Sequence, residues 1–179
     1  FYFAIIAAAI TIVVSFAARG CLASMIAAIP PLRKTKIFDR DINMLSTPIN
    51  KVEQLAPDLW VITETDSVHC YLLLGKEKAM LFDIGYGYED IQPIIHQITD
   101  LPVMLVISHG DPDHGLGSNH FKDVWLHPLD YGKLLCNDTE EMRKKAYEYR
   151  VNKAPHFKPY IDAETFLHTR ISEIQHRIF

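Results

Sequence analysis

Between His109 and His114 the sequence SHGDPDHG sets two histidines and two aspartates in one short loop. Imidazole nitrogen and carboxylate oxygen are the donors that hold zinc, iron or manganese. Gly110, Pro112 and Gly115 impose tight turns, so that neighbouring ligands can be aimed at one point. The loop leaves an apolar, partly β-branched run, residues 103–107, that reads as a buried strand. A second acidic signal lies upstream: Asp83 ends another apolar run, residues 79–82, just before Gly85 and Gly87. The alternative is an incidental cluster of His and Asp in a surface loop, and the second acid at a strand end argues against it.

Taken together, LFDIG and SHGDPDHGLG resemble the metallo-β-lactamase fold superfamily. Its pattern is an apolar strand ending in Asp-x-Gly, a helix, and an apolar strand ending in His-x-His-x-Asp-His-x-Gly. The resemblance covers roughly residues 52–130 and implies an α+β fold: a partial αββα sandwich, one mixed β-sheet with flanking helices. It implies metal ligation by His109, Asp111, Asp113 and His114, with His109 and Asp111 on a first ion and Asp113 and His114 on a second. Asp113 would also be catalytic, orienting the nucleophilic water, and Asp83 would hold a ligand from outside the coordination sphere. The cofactor implied is zinc, two ions in a complete domain, with iron or manganese as alternatives. The implied function is a metal-dependent hydrolase acting on a small-molecule substrate.

The chain departs from that pattern in two ways. Asp111 stands where most members carry a second histidine, which is similar to the His-x-Glu-x-Asp-His set of flavodiiron proteins and gives a di-iron oxidoreductase as the alternative reading. The superfamily's later ligands, a Gly-His-Ser/Thr histidine, a bridging aspartate and a final histidine, have no counterpart. His156, His168 and His176 lack the matching context and are expected to be solvent-exposed. The expectation is therefore the N-terminal half of such a domain, with a non-catalytic, membrane-tethered remnant as the third reading.

The elements that must position these residues follow from periodicity. Residues 59–63 and 68–74, with the run before Asp83, form an antiparallel meander. Residues 88–99 carry isoleucines at helical spacing, with His96 off the apolar stripe. Strand, helix, strand implies parallel pairing, with Asp83 and the His109–His114 loop at carboxyl ends of adjacent strands. Residues 124–126 read as a strand ending in His127, a strand-end packing residue, and a helix follows. Asp138 and Glu141 mark a capping-box-like start for a charged helix over 139–151, solvent-exposed along much of one face. Leu167, Ile171, Ile174 and Ile178 predict a final amphipathic helix.

The 179 residues suffice for one domain. The domain organisation reads as an apolar segment 1–32, a linker 33–51 and the motif-bearing region 52–179. Residues 1–18 carry no charge and precede Arg19, which suggests an apolar N-terminal helix: a membrane anchor through 1–29, or an export signal. Membrane-associated or exported is thus the expected location, with cytoplasmic as the alternative. A formal net charge of −4 argues against a nucleic-acid surface driven by phosphate contacts. Cys21, Cys70 and Cys136 form neither a zinc-type pair nor a disulfide framework.

Overall fold

Alternation of inward and outward residues decides the sheet. On β2 (Leu59–Glu64) and β3 (Val68–Leu74), Trp60 pairs with Leu72 and Ile62 with Cys70, all buried. The same face continues through Leu81 on β4 (Ala79–Phe82), Leu105 on β5 (Val103–Val106) and Val124 on β6 (Val124–Leu126), in register. Side chains alternate across a strand, so one face gathers this whole set. Ile94, Ile95 and Ile98 of α1 (Gln92–Ile98) cover it, joined by Leu45, Phe121, Leu134 and Ile171 in one core.

The computed structural model describes residues 42–171 and 176–178, all within the unit Arg33–Phe179. Its sheet is seven-stranded and mixed, in the spatial order β1 (Asn50–Ala56) through to β7 (His176–Ile178). Pairings from β1 to β4 are antiparallel and those from β4 to β7 parallel. A mixed sheet with flanking helices is therefore present, as is the expected parallel pairing of the two motif-bearing strands. The apolar segment 1–32 expected to form a helix lies outside the described residues. No described helix is long and apolar enough to cross a membrane.

Three expectations need correction. Residues 42–51 are not all irregular: a 3-10 turn spans Ile42–Leu45 and β1 opens at Asn50. The helix expected over 139–151 is α4 (Glu140–Lys153), and its cap is Thr139, whose Oγ1 accepts from Met142 N at 3.1 Å. Asp138 is instead occupied by Arg143 Nη2 at 2.8 Å and Ile171 N at 2.6 Å. Glu141, Lys144, Lys145 and Glu148 form the solvated face expected of α4, while Arg143, Ala146 and Arg150 pack inward on the other. The final helix is cut to α5 (Ala163–His168), and residues 176–178 pair with β6. Unsatisfied backbone groups along the β6 edge outweigh the helical spacing of the apolar residues.

The other face of the sheet is also apolar. Leu73, Met80, Phe82, Met104, Val106 and Trp125 are in mutual register and all half-buried. Adjacent residues on β3 therefore test the two faces. Leu72→Ala is expected to cost about 3 kcal/mol in urea unfolding, as for a large-to-small change in a closed core. Leu73→Ala should cost less than about 1.5 kcal/mol, because its site is already partly open to water.

Candidate metal site

Both acid-bearing motifs leave the carboxyl ends of neighbouring parallel strands, β4 and β5. Asp83 follows β4 directly, is buried, and adopts a left-handed backbone at φ 60°. That conformation turns its carboxylate onto the next strand's exit. Oδ1 accepts from Ser108 N at 2.7 Å, and Oδ2 accepts from Ser108 Oγ at 2.9 Å. Oδ2 also lies 2.8 Å from His114 Nδ1.

These contacts fix the histidine tautomers. An ionised carboxylate only accepts, so His114 carries its proton on Nδ1 and donates it to Asp83. Ser108 has a single hydroxyl proton, given to Asp83, so its oxygen accepts from His109 Nδ1, 2.9 Å away. Both rings thus turn an Nε2 lone pair outward, and their centroids lie 4.0 Å apart. His109 Nε2 faces Asp111 Oδ2 at 3.0 Å, and His114 Nε2 faces Asp113 Oδ2 at 3.6 Å. A lone pair facing a carboxylate is repulsive unless a cation, a proton or a metal ion, lies between them.

The hydrogen bond to Asp83, foremost, raises the His114 pKa, against the opposing effect of burial. Asp111 is held below the usual carboxylate range mainly by Lys133, whose Nζ sits 2.7 Å from Oδ1, with His109 adding to the effect. Lys133 belongs to α3 (Pro128–Asn137), the helix that buttresses the loop. Asp130 Oδ1 accepts from Gly110 N at 3.1 Å, and Asn137 Nδ2 donates to Gly110 O at 2.8 Å. A Cβ at position 110 would lie 2.5 Å from Asp130 O, so only glycine permits this approach.

The donor chemistry suits a divalent ion. Tetrahedral bonds of about 2.1 Å place two donors roughly 3.4 Å apart, between the two N···O separations seen here. The number of donors is short, however. Among the described residues no group of three or more His, Cys, Asp or Glu side chains is arranged to hold an ion. The loop supplies two histidine–carboxylate pairs, each half of a coordination sphere. Behind the loop's one-turn α2 (Pro112–Gly115) a 3-10 helix spans Leu116–His120.

His96, His156 and His168 are exposed and lie apart in sequence and element from this cluster. His127 caps α3, its ring accepting from Leu129 N at 3.3 Å. Sequence reasoning missed Lys133 and Glu64. Lys133 falls one turn along a helix from Asp130, with no motif to mark it. Glu64 had a usable signal, since it shares the inward register of Trp60 and Ile62, where an acid is out of place.

Among solved structures the chain is similar to metallo-β-lactamases. One from Erythrobacter litoralis is 19% identical over 50% of this chain and 46% of its own, with a TM-score of 0.43. One from Pontibacter korlensis is 22% identical over 45% of each chain, at 0.38. A mono-zinc form from Pseudomonas aeruginosa is 12% identical over 49% of this chain and 46% of its own, at 0.42. The match thus spans a little under half the length of those proteins. Comparison with models of known protein families and with curated proteins gives no match.

Asp83 is the testable hub. Asp83→Ala leaves Ser108 N–H without its acceptor and is expected to cost about 2 kcal/mol in denaturant unfolding. The same change should return the His114 pKa toward its ordinary value, measured by NMR titration of the ring.

Proposed function

We propose that this chain carries the N-terminal half of a metal-dependent hydrolase centre of the metallo-β-lactamase type, acting on a small-molecule substrate. The observation that carries the reading is the pair of outward Nε2 lone pairs, each opposed by a carboxylate and fixed from behind by Asp83 and Ser108. His109 and Asp111 would hold one ion, and Asp113 with His114 a second. Zinc is the ion that mixed imidazole and carboxylate donors favour, with iron or manganese as the harder alternatives. Bound there, the metal would lower the pKa of a water molecule and polarise a substrate oxygen.

The protein's own contribution is orientation. Asp83 keeps the Nδ1 proton of His114 in place, which leaves Nε2 free as a donor atom and raises its basicity. Asp113 brings a carboxylate oxygen to the same side, where it would orient the attacking water. Lys133 neutralises Asp111 and keeps the loop from bearing two uncompensated carboxylates. In this reading residues 1–29 tether the domain to a membrane or direct its export.

Zinc titration of the full chain tests the proposal. Binding is expected, and His109→Ala and His114→Ala should each weaken it by at least about tenfold, since each removes half of a pair's donors. Unchanged affinity in both variants, with folding intact, would overturn the assignment. Where hydrolysis is measured in a longer form of the protein, Asp113→Ala should abolish turnover and chelation should do the same.

A further inference from the structure

Glu64 ends β2 and faces inward, only 3% exposed. Its carboxylate accepts three consecutive backbone amides: Tyr86 N at 2.8 Å, Gly87 N at 2.9 Å and Tyr88 N at 2.9 Å. Those amides belong to the loop that begins with Asp83. Left-handed backbone recurs along it, at Asp83, at Gly85 (φ 78°) and at Gly87 (φ 76°). A non-glycine residue in that region is strained unless its surroundings hold it there. The loop is also stitched to the turn bearing His114, with Ile84 N donating to His114 O at 3.1 Å and Gly117 N to Gly85 O at 3.2 Å.

We propose that Glu64 is a positioning residue for the candidate metal site: by gathering the amides of residues 86–88 it locks the loop that presents the Asp83 carboxylate to His114 and Ser108. The inference rests on the metal-site reading above and adds a control point remote from the ligands. Three amides converging on one carboxylate fix a loop far more tightly than a neutral group could, because charge-assisted hydrogen bonds are the stronger kind. Gly85 belongs to the same device. A Cβ there would meet Glu64 Oε2 at 2.6 Å, so any side chain would push the carboxylate off its amides.

The lock is sensitive to protons. Burial pushes the Glu64 pKa up to about 7, against the lowering effect of the three amides and of Arg150. The groups facing it are Arg150 from α4, Tyr86 and Tyr88 on the loop itself, and Cys70 on β3, which also feels Asp83. Arg150 is itself pinned, its guanidinium donating to Thr65 O and Ser67 Oγ. A folded pKa of about 7 against 4.5 for a free glutamate means that the folded state holds the proton longer. The Glu64 contribution to stability is therefore present below pH 4.5 and is lost as pH rises toward 7. The ionised carboxylate that costs stability is the one that grips the loop.

Zinc titration and NMR of the full chain, wild type against Glu64→Gln and Gly85→Ala, test the proposal. In the wild type the amide resonances of Tyr86, Gly87 and Tyr88 should titrate together with one midpoint near 7, and in Glu64→Gln they should not. Glu64→Gln should unfold cooperatively and gain stability relative to wild type between pH 4.5 and 7. At pH 7.5 it should nevertheless bind zinc about tenfold more weakly. Gly85→Ala should reproduce that loss, and the double variant should be no worse than either single one, because both act on one contact. Loss of the His114 Nδ1–H signature from the ring nitrogen spectrum of Glu64→Gln would support the proposal without metal. If wild type binds no zinc, the metal reading fails and this ring signature alone decides the role of Glu64. An unaltered His114 signature and unaltered zinc affinity in a folded Glu64→Gln variant would overturn it.

Discussion

A buried carboxylate that can only accept hydrogen bonds governs this site. Asp83 takes the Ser108 amide, the Ser108 hydroxyl and the His114 Nδ1 proton within 2.9 Å. From that one constraint the tautomers of both histidines follow, and with them the direction of both free lone pairs. The sheet exists, for this purpose, to bring the end of β4 beside the end of β5. Parallel pairing of Phe82 with Val106 does so, and the bond from Asp83 N to Val106 O at 2.9 Å extends the ladder by one step into the site.

Two layers of support stand behind that carboxylate. On one side α3 grips the ligand loop through both polar atoms of the Gly110 backbone and through Lys133. On the other, Glu64 organises the loop after β4. A second apolar cluster, with Tyr88, Ala146, Phe157, Ile161 and Phe166, lies beyond this loop, and the Tyr88 hydroxyl donates to Ala146 O at 3.0 Å. The cluster joins α4 and α5 to the loop, so that helices remote in sequence contribute to its shape.

Much of this was legible in the sequence because short-range pattern carried it. Strands β2 to β6 announced themselves by β-branched and apolar runs, and the acids and histidines at their ends by adjacency to glycine and proline. The parts that were not legible depend on long-range contacts. Lys133 reaches Asp111 across the chain, and nothing local distinguishes it from a solvated lysine on an exposed helix face. Arg143 and Arg150 carry charges that read as surface, yet Asp138 and Leu116 O hold the first and Thr65 O the second in the interior. Residues 176–178 have helical spacing, and only the open edge of β6 makes them a strand.

The strands stand in the sheet in the order in which they occur in the chain. Each new strand therefore finds its partner already made, and no gap has to be kept open for a later segment. Contacts of short sequence separation close cheaply and early. During synthesis, β1 to β4 can assemble as a hairpin meander while the residues after β4 are still emerging. Once α1 has folded over the growing sheet, β5 can dock at its edge and bring the ligand loop alongside Asp83. The order of the code thus becomes the order of assembly, and the ligand loop reaches Asp83 only after β5 has docked on β4.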